Sequence, residues 1–148
     1  MRTWTATTTI EAPPDVVLDV LTDPEAAVRW APVDFDIEAL DSHRLLPGSR
    51  VRLAGRLAGV SVAFDVEVLE ADTERLALRA AGPVALDVNY DLAPSDGGSE
   101  VRASIGVRPG RGFRGRVMAE ATTAVLKAGA LHAALGRIGR EACALAPA

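Results

Sequence analysis

The sequence predicts an α+β domain in which a curved antiparallel sheet of seven strands wraps around a long C-terminal helix. Two observations lead to this prediction. Apolar residues recur with helical spacing near the C-terminal end of the chain, and apolar and polar residues alternate through most of what precedes it. The 148 residues can bury a core and no linker-like composition interrupts them, so we expect one domain over residues 1–148.

The predicted terminal helix covers residues 113–145. Its apolar positions alternate steps of four and three, which places them on one face, and they are Val117, Ala121, Ala124, Ala128, Leu131, Leu135, Ile138, Ala142 and Leu145. A helix of this length spans roughly 50 Å, and the other helical segments are too short to cover it, so the sheet must be its partner. Because alanines occupy the middle of this face, we expect an apolar pocket of roughly 300 Å³ or more between helix and sheet.

The first predicted strand, residues 3–10, is followed by two short helices. The first helix covers residues 15–21. The second begins with Asp23 as its cap and Pro24 at its first position, and it ends near Trp30. These helices therefore separate the first strand from the rest of the sheet.

Six further segments alternate apolar and polar residues, which predicts strands with one face toward the core. Turn residues such as Pro47-Gly48 and Gly82-Pro83 separate them. The segments are residues 33–39, 50–57, 60–69, 75–80, 84–92 and 101–107.

Composition and charge exclude several classes of function. The formal net charge is −4 and the isoelectric point is about 5.2, so nothing global suggests nucleic acid or an anionic membrane as a partner, although local charge could still matter. One cysteine, Cys143, rules out an internal disulfide, and with two histidines and no acidic cluster at ligand spacing we expect neither metal nor cofactor. The chain shows no secretory signal and no run of about 18 to 20 apolar residues that could span a bilayer, so we expect a cytoplasmic protein.

Six short motifs are spread over nearly the whole chain. They are Thr9-Ile10-Glu11-Ala12-Pro13, Leu21-Thr22-Asp23-Pro24, Trp30-Ala31-Pro32, Pro47-Gly48, Glu67-Val68-Leu69-Glu70 and Gly97-Gly98-Ser99-Glu100-Val101. In these motifs and in its order of elements the chain resembles the START and polyketide cyclase superfamily, also called SRPBCC. The resemblance implies the helix-grip fold, with a cavity for an apolar small molecule. It does not imply one reaction, because the superfamily includes lipid carriers, hormone receptors, cyclases and chaperone activators.

Strand alternation indicates which side chains would line such a cavity, and nearly all of them are hydrocarbon. The candidates are Trp30, Phe35, Leu53, Val62, Phe64, Val66, Leu78, Leu86, Val88, Tyr90, Ala103, Ile105, Val117, Ala121, Ala124, Val125 and Ala128. General acid–base catalysis needs a titratable group beside the substrate, and only Tyr90 and His132 are candidates for it. The alternative for Tyr90 is core packing, and for His132 it is a structural or solvated position.

One basic cluster, Arg108, Arg111, Arg114 and Arg116, lies in a glycine-rich segment at the start of the terminal helix. Cations at a helix N-terminus oppose the helix dipole, an arrangement that is more easily understood if an anionic group binds there. A phosphate, a lipid headgroup or the acidic surface of an acyl carrier protein would fit. The alternative is a solvated loop.

These observations favour a carrier, sensor or chaperone of a hydrophobic small molecule or lipid. The second possibility is a polyketide aromatase/cyclase-like enzyme that acts on a poly-β-ketone bound to a carrier protein, working mainly through proximity. A third, weaker possibility is a structural, partner-binding domain with a collapsed core and no pocket. Binding is preferred because the expected lining offers so few groups for proton transfer.

Overall fold

The computed structural model describes residues 2–31, 35–41, 44–57 and 59–145. Its elements are β1 (Arg2–Ile10), α1 (Pro14–Thr22), α2 (Pro24–Trp30), β2 (Phe35–Leu40), β3 (Arg50–Leu57), β4 (Val60–Ala71), β5 (Arg75–Ala81), β6 (Val84–Ser95), β7 (Gly98–Pro109), α3 (Gly112–Lys127) and α4 (Ala130–Leu145). Pro32 of the third motif and the predicted start of the second strand at Val33 lie outside the described residues. Among the described helices, none is long and apolar enough to cross a membrane.

The seven strands form one antiparallel sheet in the order β1-β7-β6-β5-β4-β3-β2. Consecutive strands from β2 to β7 are neighbours, and β1 closes the far side against β7. The alternating pattern therefore predicted every strand, and the α+β helix-grip fold is confirmed. Polar residues occupy the outer face because each strand has only one face toward the helices.

One strand residue departs from the predicted alternation. We expected Ala39 to face inward with Phe35 and Ile37, but a register shift between Ile37 and Ala39 leaves Ala39 exposed and Leu40 half-buried. The extra residue of a β-bulge moves the following side chains to the other face of the sheet. A second shift, between Val68 and Glu70, adds to the irregularity of the sheet.

The two short helices are joined to α4 by polar contacts. The side chain of Asp23 accepts a hydrogen bond from the backbone N–H of Glu25 at 3.0 Å, so the predicted cap is confirmed. Arg29 of α2 donates to Glu141 of α4 from Nε to Oε1 at 2.7 Å, and this partner lowers the pKa of the Glu141 carboxyl. Arg137 of α4 donates to the carbonyl oxygen of Ala31 at 2.8 Å. These contacts hold the end of α2 against the terminal helix.

The prediction of one continuous terminal helix was wrong. The described chain forms α3 and α4, and Gly129 between them has a φ of 91°. A glycine in the left-handed conformation commonly ends a helix, and here its N–H donates to the carbonyl of Leu126 at 3.1 Å. Periodicity alone did not reveal the break, because the four-three spacing of apolar residues continues across Gly129, from Ala124 and Ala128 to Leu131.

The predicted face is correct in α4 and wrong in α3. Leu131, Leu135, Ile138 and Ala142 are buried as expected, whereas Leu145 is exposed. In α3, Val117, Ala124 and Ala128 are exposed and Ala121 and Val125 are half-buried. The buried residues of α3 are instead Gly115, Met118, Ala119, Thr122, Thr123 and Leu126.

Two physical causes set this register of α3. The Thr122 hydroxyl donates to the carbonyl of Met118 at 2.8 Å, which satisfies it and allows a polar residue to be buried. Gly115 packs so closely on Gly110 that a Cβ at Gly115 would overlap the Gly110 backbone. That face of the helix must therefore turn toward the preceding loop, and the alanine face turns outward.

We expect Gly129→Ala to lower the free energy of unfolding by about 1 to 2 kcal/mol, because alanine at a positive φ is strained. No heavy atom lies near enough for the added methyl to clash. The matched control is Gly136→Ala within α4, where an added Cβ would make only an ordinary contact with the Arg140 side chain at 3.8 Å and should gain about 0.5 to 1 kcal/mol from helix propensity. Urea unfolding monitored by circular dichroism measures both. Equal stabilisation by the two substitutions would contradict the helix break.

Candidate functional site

A cavity of about 190 Å³ lies between the inner face of the sheet and the helices. Its walls come from α2, the connection before β3, the strands β2 to β7, and one residue of α3. They are Pro24, Ala27, Trp30, Ala31, Phe35, Ile37, Leu45, Val51, Leu53, Gly55, Arg56, Val62, Phe64, Val66, Leu78, Ala80, Leu86, Val88, Tyr90, Ile105 and Thr122. The lining is almost entirely hydrocarbon, so the interior disfavours charged groups.

The cavity is smaller than the expected 300 Å³. The α3 register explains much of the difference, because Met118 and Thr122 replace the predicted alanines on the helix face toward the sheet.

Most of the strand residues predicted as lining lie in the cavity wall. They are Phe35, Leu53, Val62, Phe64, Val66, Leu78, Leu86, Val88, Tyr90 and Ile105, together with Trp30 from α2. Ala103, also predicted, is fully buried in the core beside Tyr90 and is not part of the wall. Whether these side chains bind a ligand stays a prediction.

The helix residues predicted as lining do not form the wall. Val117, Ala124 and Ala128 point to solvent, and Ala121 and Val125 pack against a satellite cluster that contains Val62 and Val84. Thr122, which sequence reasoning missed, takes their place. Thr122 lies four residues from both Met118 and Leu126, so the sequence shows that the three share one side of a helix. A threonine is expected to be buried there only once its hydroxyl is known to donate a hydrogen bond to the preceding helical turn.

Trp30 and Tyr90 form the wall at one side of the cavity. Their ring centroids are 5.6 Å apart and the planes are at 82°, an edge-to-face contact. The indole N–H of Trp30 donates to the carbonyl of Val20 at 3.2 Å. Arg137 donates to the carbonyls of Trp30 and Ala31 at 3.2 and 2.8 Å, so the aromatic pair is held from behind by α4.

The Tyr90 hydroxyl is the one feature of this wall that invites a polar ligand atom. Only 1% of Tyr90 is exposed, and its hydroxyl makes no hydrogen bond to the described residues. Among the described residues, every side-chain oxygen that is inaccessible to water has a hydrogen-bond partner. The Tyr90 oxygen has no such partner, so it must border open space, which here is the cavity that Tyr90 lines. Burial raises the pKa of Tyr90 above its ordinary value, with a partial offset from the charge of Arg137. The phenol is thus a neutral donor.

His132, the second catalytic candidate, does not reach the cavity. It is exposed on α4, whose buried positions are Leu131, Ala134, Leu135, Ile138 and Ala142. The restart of the helix after Gly129 fixes this face, so the side chain at 132 points to solvent. Of the two interpretations of His132, the solvated position is the one the structure supports, and its candidacy as a catalytic residue in the cavity is not.

The basic cluster divides into a paired arginine and three that lie apart from acids. Arg108 Nη2 lies 3.2 Å from Asp87 Oδ2 across β6 and β7, so it belongs to the ion pairs of the outer sheet face. Arg111, Arg114 and Arg116 are exposed and form no ion pair with the described residues. Their binding of an anion or partner stays a prediction. Within the described ranges, no three His, Cys, Asp or Glu residues converge as metal ligands do.

Comparison with solved structures places the fold among known ones. The chain is similar to protein CV1439 from Chromobacterium violaceum, at 19% identity and a TM-score of 0.70 over 95% of this chain and 96% of that one. It is similar to TTHA0849 from Thermus thermophilus, at 15% identity and a TM-score of 0.71 over 99% and 100%. DynU16, a protein in the dynemicin biosynthetic locus, matches 93% of this chain with 46% of its own, at 23% identity and a TM-score of 0.60. At these identities the likeness shows the fold alone.

Sequence comparison adds the family. A search of curated proteins finds no significant match. The family model described as polyketide cyclase / dehydrase and lipid transport matches residues 1–138, which includes every strand, both short helices and most of α4. The chain therefore belongs to the polyketide cyclase/dehydrase and lipid transport family of the START-like, or SRPBCC, superfamily.

Proposed function

We propose that this protein binds a hydrophobic small molecule in the cavity, as a carrier or sensor of that molecule. The observation that supports this most directly is an apolar cavity in whose wall the buried hydroxyl of Tyr90 has no hydrogen-bond partner among the described residues. Transfer of apolar surface from water into such a cavity contributes roughly 25 cal/mol per Å². Binding of this kind needs no catalytic group.

The volume restricts the ligand. Because an apolar cavity of about 150 Å³ accommodates benzene, the 190 Å³ here suits a molecule of one or two rings or a short alkyl chain. A longer lipid would have to extend beyond the cavity or widen it. Compact ligands are therefore favoured over long acyl chains.

Tyr90 restricts the chemistry of the ligand. A neutral phenol in an apolar wall favours a hydrogen-bond acceptor such as a ketone carbonyl. Among the described lining residues the one charged group is Arg56, whose Nη2 donates to the carbonyl of Gly59 at 2.9 Å, and the rest of the lining offers no partner for an ionic ligand, so an uncharged ligand is favoured. The preferred ligand is thus apolar, uncharged and carries one acceptor.

The cyclase-like alternative rests on the same tyrosine. Its phenol would polarise a ketone of a folded poly-β-ketone, and the protein would supply proximity. The ionisable residues among the described lining are Arg56 and Tyr90. An arginine side chain has no acceptor atom, and burial raises the pKa of Tyr90, which keeps its phenol protonated. A general base would therefore have to come from outside this wall. A carrier would release a bound ketone unchanged, whereas a cyclase-like enzyme would convert it, so analysis of the ketone recovered from the protein distinguishes the two proposals.

An acyl carrier protein partner and a cytoplasmic location stay predictions.

We expect Val88→Phe to abolish binding of naphthalene, because the larger ring occupies the cavity that Val88 lines. Ala124→Trp is the matched control: position 124 is exposed on α3, so it should bind naphthalene as wild type does. Naphthalene fluorescence on titration with protein measures both, with circular dichroism to verify folding. Loss of binding in Ala124→Trp, or full binding in folded Val88→Phe, would place the ligand elsewhere.

We expect wild type to bind methyl naphthyl ketone more tightly than Tyr90→Phe does, by about threefold to tenfold, the effect of one net hydrogen bond. Naphthalene, which lacks the carbonyl, should bind both proteins equally, because the ring of Tyr90 is kept. Calorimetric titration gives the four dissociation constants. An equal loss for both ligands would mean that the hydroxyl does not contact the carbonyl.

The chain has a single tyrosine, so its phenolate absorbance reports Tyr90 alone. Burial raises the pKa of Tyr90, so we expect folded protein to show little phenolate at about pH 10, the ordinary pKa of tyrosine. Unfolding by urea at that pH should restore the phenolate. Because the folded state holds the proton more tightly, stability should fall as pH rises above about 10. A phenolate signal at the ordinary pKa in folded protein would place the hydroxyl in water.

A further inference from the structure

We propose that the end of the molecule where α3 begins is a docking surface for an anionic lipid bilayer. The surface consists of Val60, Arg111, Phe113, Arg114, Arg116 and Val117, and we refer to it as the basic surface. The docking itself is independent of the function proposed above, whereas delivery of a ligand from the bilayer to the cavity rests on that function.

Three connections of the chain meet at the basic surface. The β5–β6 turn lies against β4, since a Cβ at Gly82 would be 2.6 Å from the Ala63 carbonyl oxygen. The loop before α3 lies against the same turn, since a Cβ at Gly110 would overlap the Pro83 carbonyl. Val62, two residues after the β3–β4 turn, packs in one cluster with Met118 of α3. The three connections therefore form one continuous end of the molecule.

Large apolar side chains protrude at this end. Phe113 is 81% exposed, Val117 is 41% exposed and Val60 is 39% exposed. Phe113 and Val117 are four residues apart and lie on one side of α3. Single exposed apolar residues are normal, but a group of them beside cationic side chains is typical of an interaction surface. Because Phe113 protrudes from an end of the fold, its ring is suited to insert into a deformable layer such as a lipid bilayer.

The charges of the basic surface indicate what that partner is. Most arginines of the outer sheet face have an acid within reach, as in Arg52–Asp65 at 2.9 Å and Arg75–Asp91 at 2.7 Å. Arg111, Arg114 and Arg116 form no ion pair with described residues, although the whole chain carries a net charge of −4. Local unpaired positive charge in an acidic protein is complementary to an anionic partner.

A bilayer explains both halves of the surface. Arginine guanidinium groups bind lipid phosphates, and an aromatic side chain between them inserts at the boundary of headgroups and acyl chains. An acidic protein would account for the arginines alone and would leave Phe113 without a pocket. Gly55 and Arg56, from the hairpin that ends beside Val60, line the cavity, so the cavity extends toward this end. In this proposal a ligand dissolved in the bilayer enters the cavity from this end.

Sedimentation with vesicles of mixed phosphatidylglycerol and phosphatidylcholine tests the docking. We expect wild type to sediment with the mixed vesicles at low salt and to bind them less as the salt concentration rises. It should not bind vesicles of pure phosphatidylcholine. Arg111→Gln, Arg114→Gln and Arg116→Gln combined should weaken binding by about tenfold or more. The matched control changes Arg50, Arg102 and Arg140 to glutamine, which removes the same charge at exposed positions outside the basic surface and should bind as wild type does.

Insertion is tested with Phe113→Trp and vesicles of brominated lipid. We expect the fluorescence of this variant to be quenched more than that of wild type, whose Trp30 is buried and whose Trp4 lies on β1. No sedimentation with anionic vesicles, or equal binding by the two triple variants, would overturn the proposal. Binding of an acidic acyl carrier protein through these arginines without vesicle binding would also overturn it. The Arg111/Arg114/Arg116 variant should bind naphthalene as wild type does. If wild type itself does not bind naphthalene, that result would contradict the proposed function and not the docking.

Discussion

Trp30 is the side chain on which the rest of the cavity depends. Its indole N–H is fixed by Val20 of α1, its ring meets the edge of Tyr90 on β6, and its backbone carbonyl accepts from Arg137 of α4. One residue therefore joins three helices to the middle of the sheet. These contacts hold the end of α2 against α1, α4 and the sheet at the cavity wall.

The rest of the fold separates charge from this interior. Strand alternation places arginines and acids on the outer face, where cross-strand pairs such as Arg52–Asp65 hold them. The inner face is left with hydrocarbon and a phenol whose raised pKa keeps it neutral. Ion pairs on the outer face are exposed and contribute little to stability individually. Because these pairs lie on the outer face, Arg56 is the single charged residue among the described residues that line the cavity.

The strands could be predicted from the sequence, whereas the buried face of α3 could not, and particular residues show why. Alternation is a local property of one strand, so Val62, Val88 and Ile105 could be placed in the wall without knowing their neighbours. The face of α3 depends instead on the contact between Gly110 and Gly115, which joins a loop to a helix and leaves no periodic signal. The break at Gly129 was visible only as one glycine among thirteen. The prediction for Ala39 was wrong for a similar reason, because the bulge in β2 depends on how that strand pairs with β3.

These constraints also explain why the family fold does not determine the ligand. Burial of apolar surface is non-directional, so any uncharged molecule that fits between Trp30 and Phe64 gains from entering. One hydrogen bond to Tyr90 can distinguish ligands by only about tenfold. The shape that the aromatic pair and the α3 register give to about 190 Å³ must therefore supply most of the selectivity. In the proposed function, the residues at positions 30, 90 and 122 would therefore determine much of which molecule is bound.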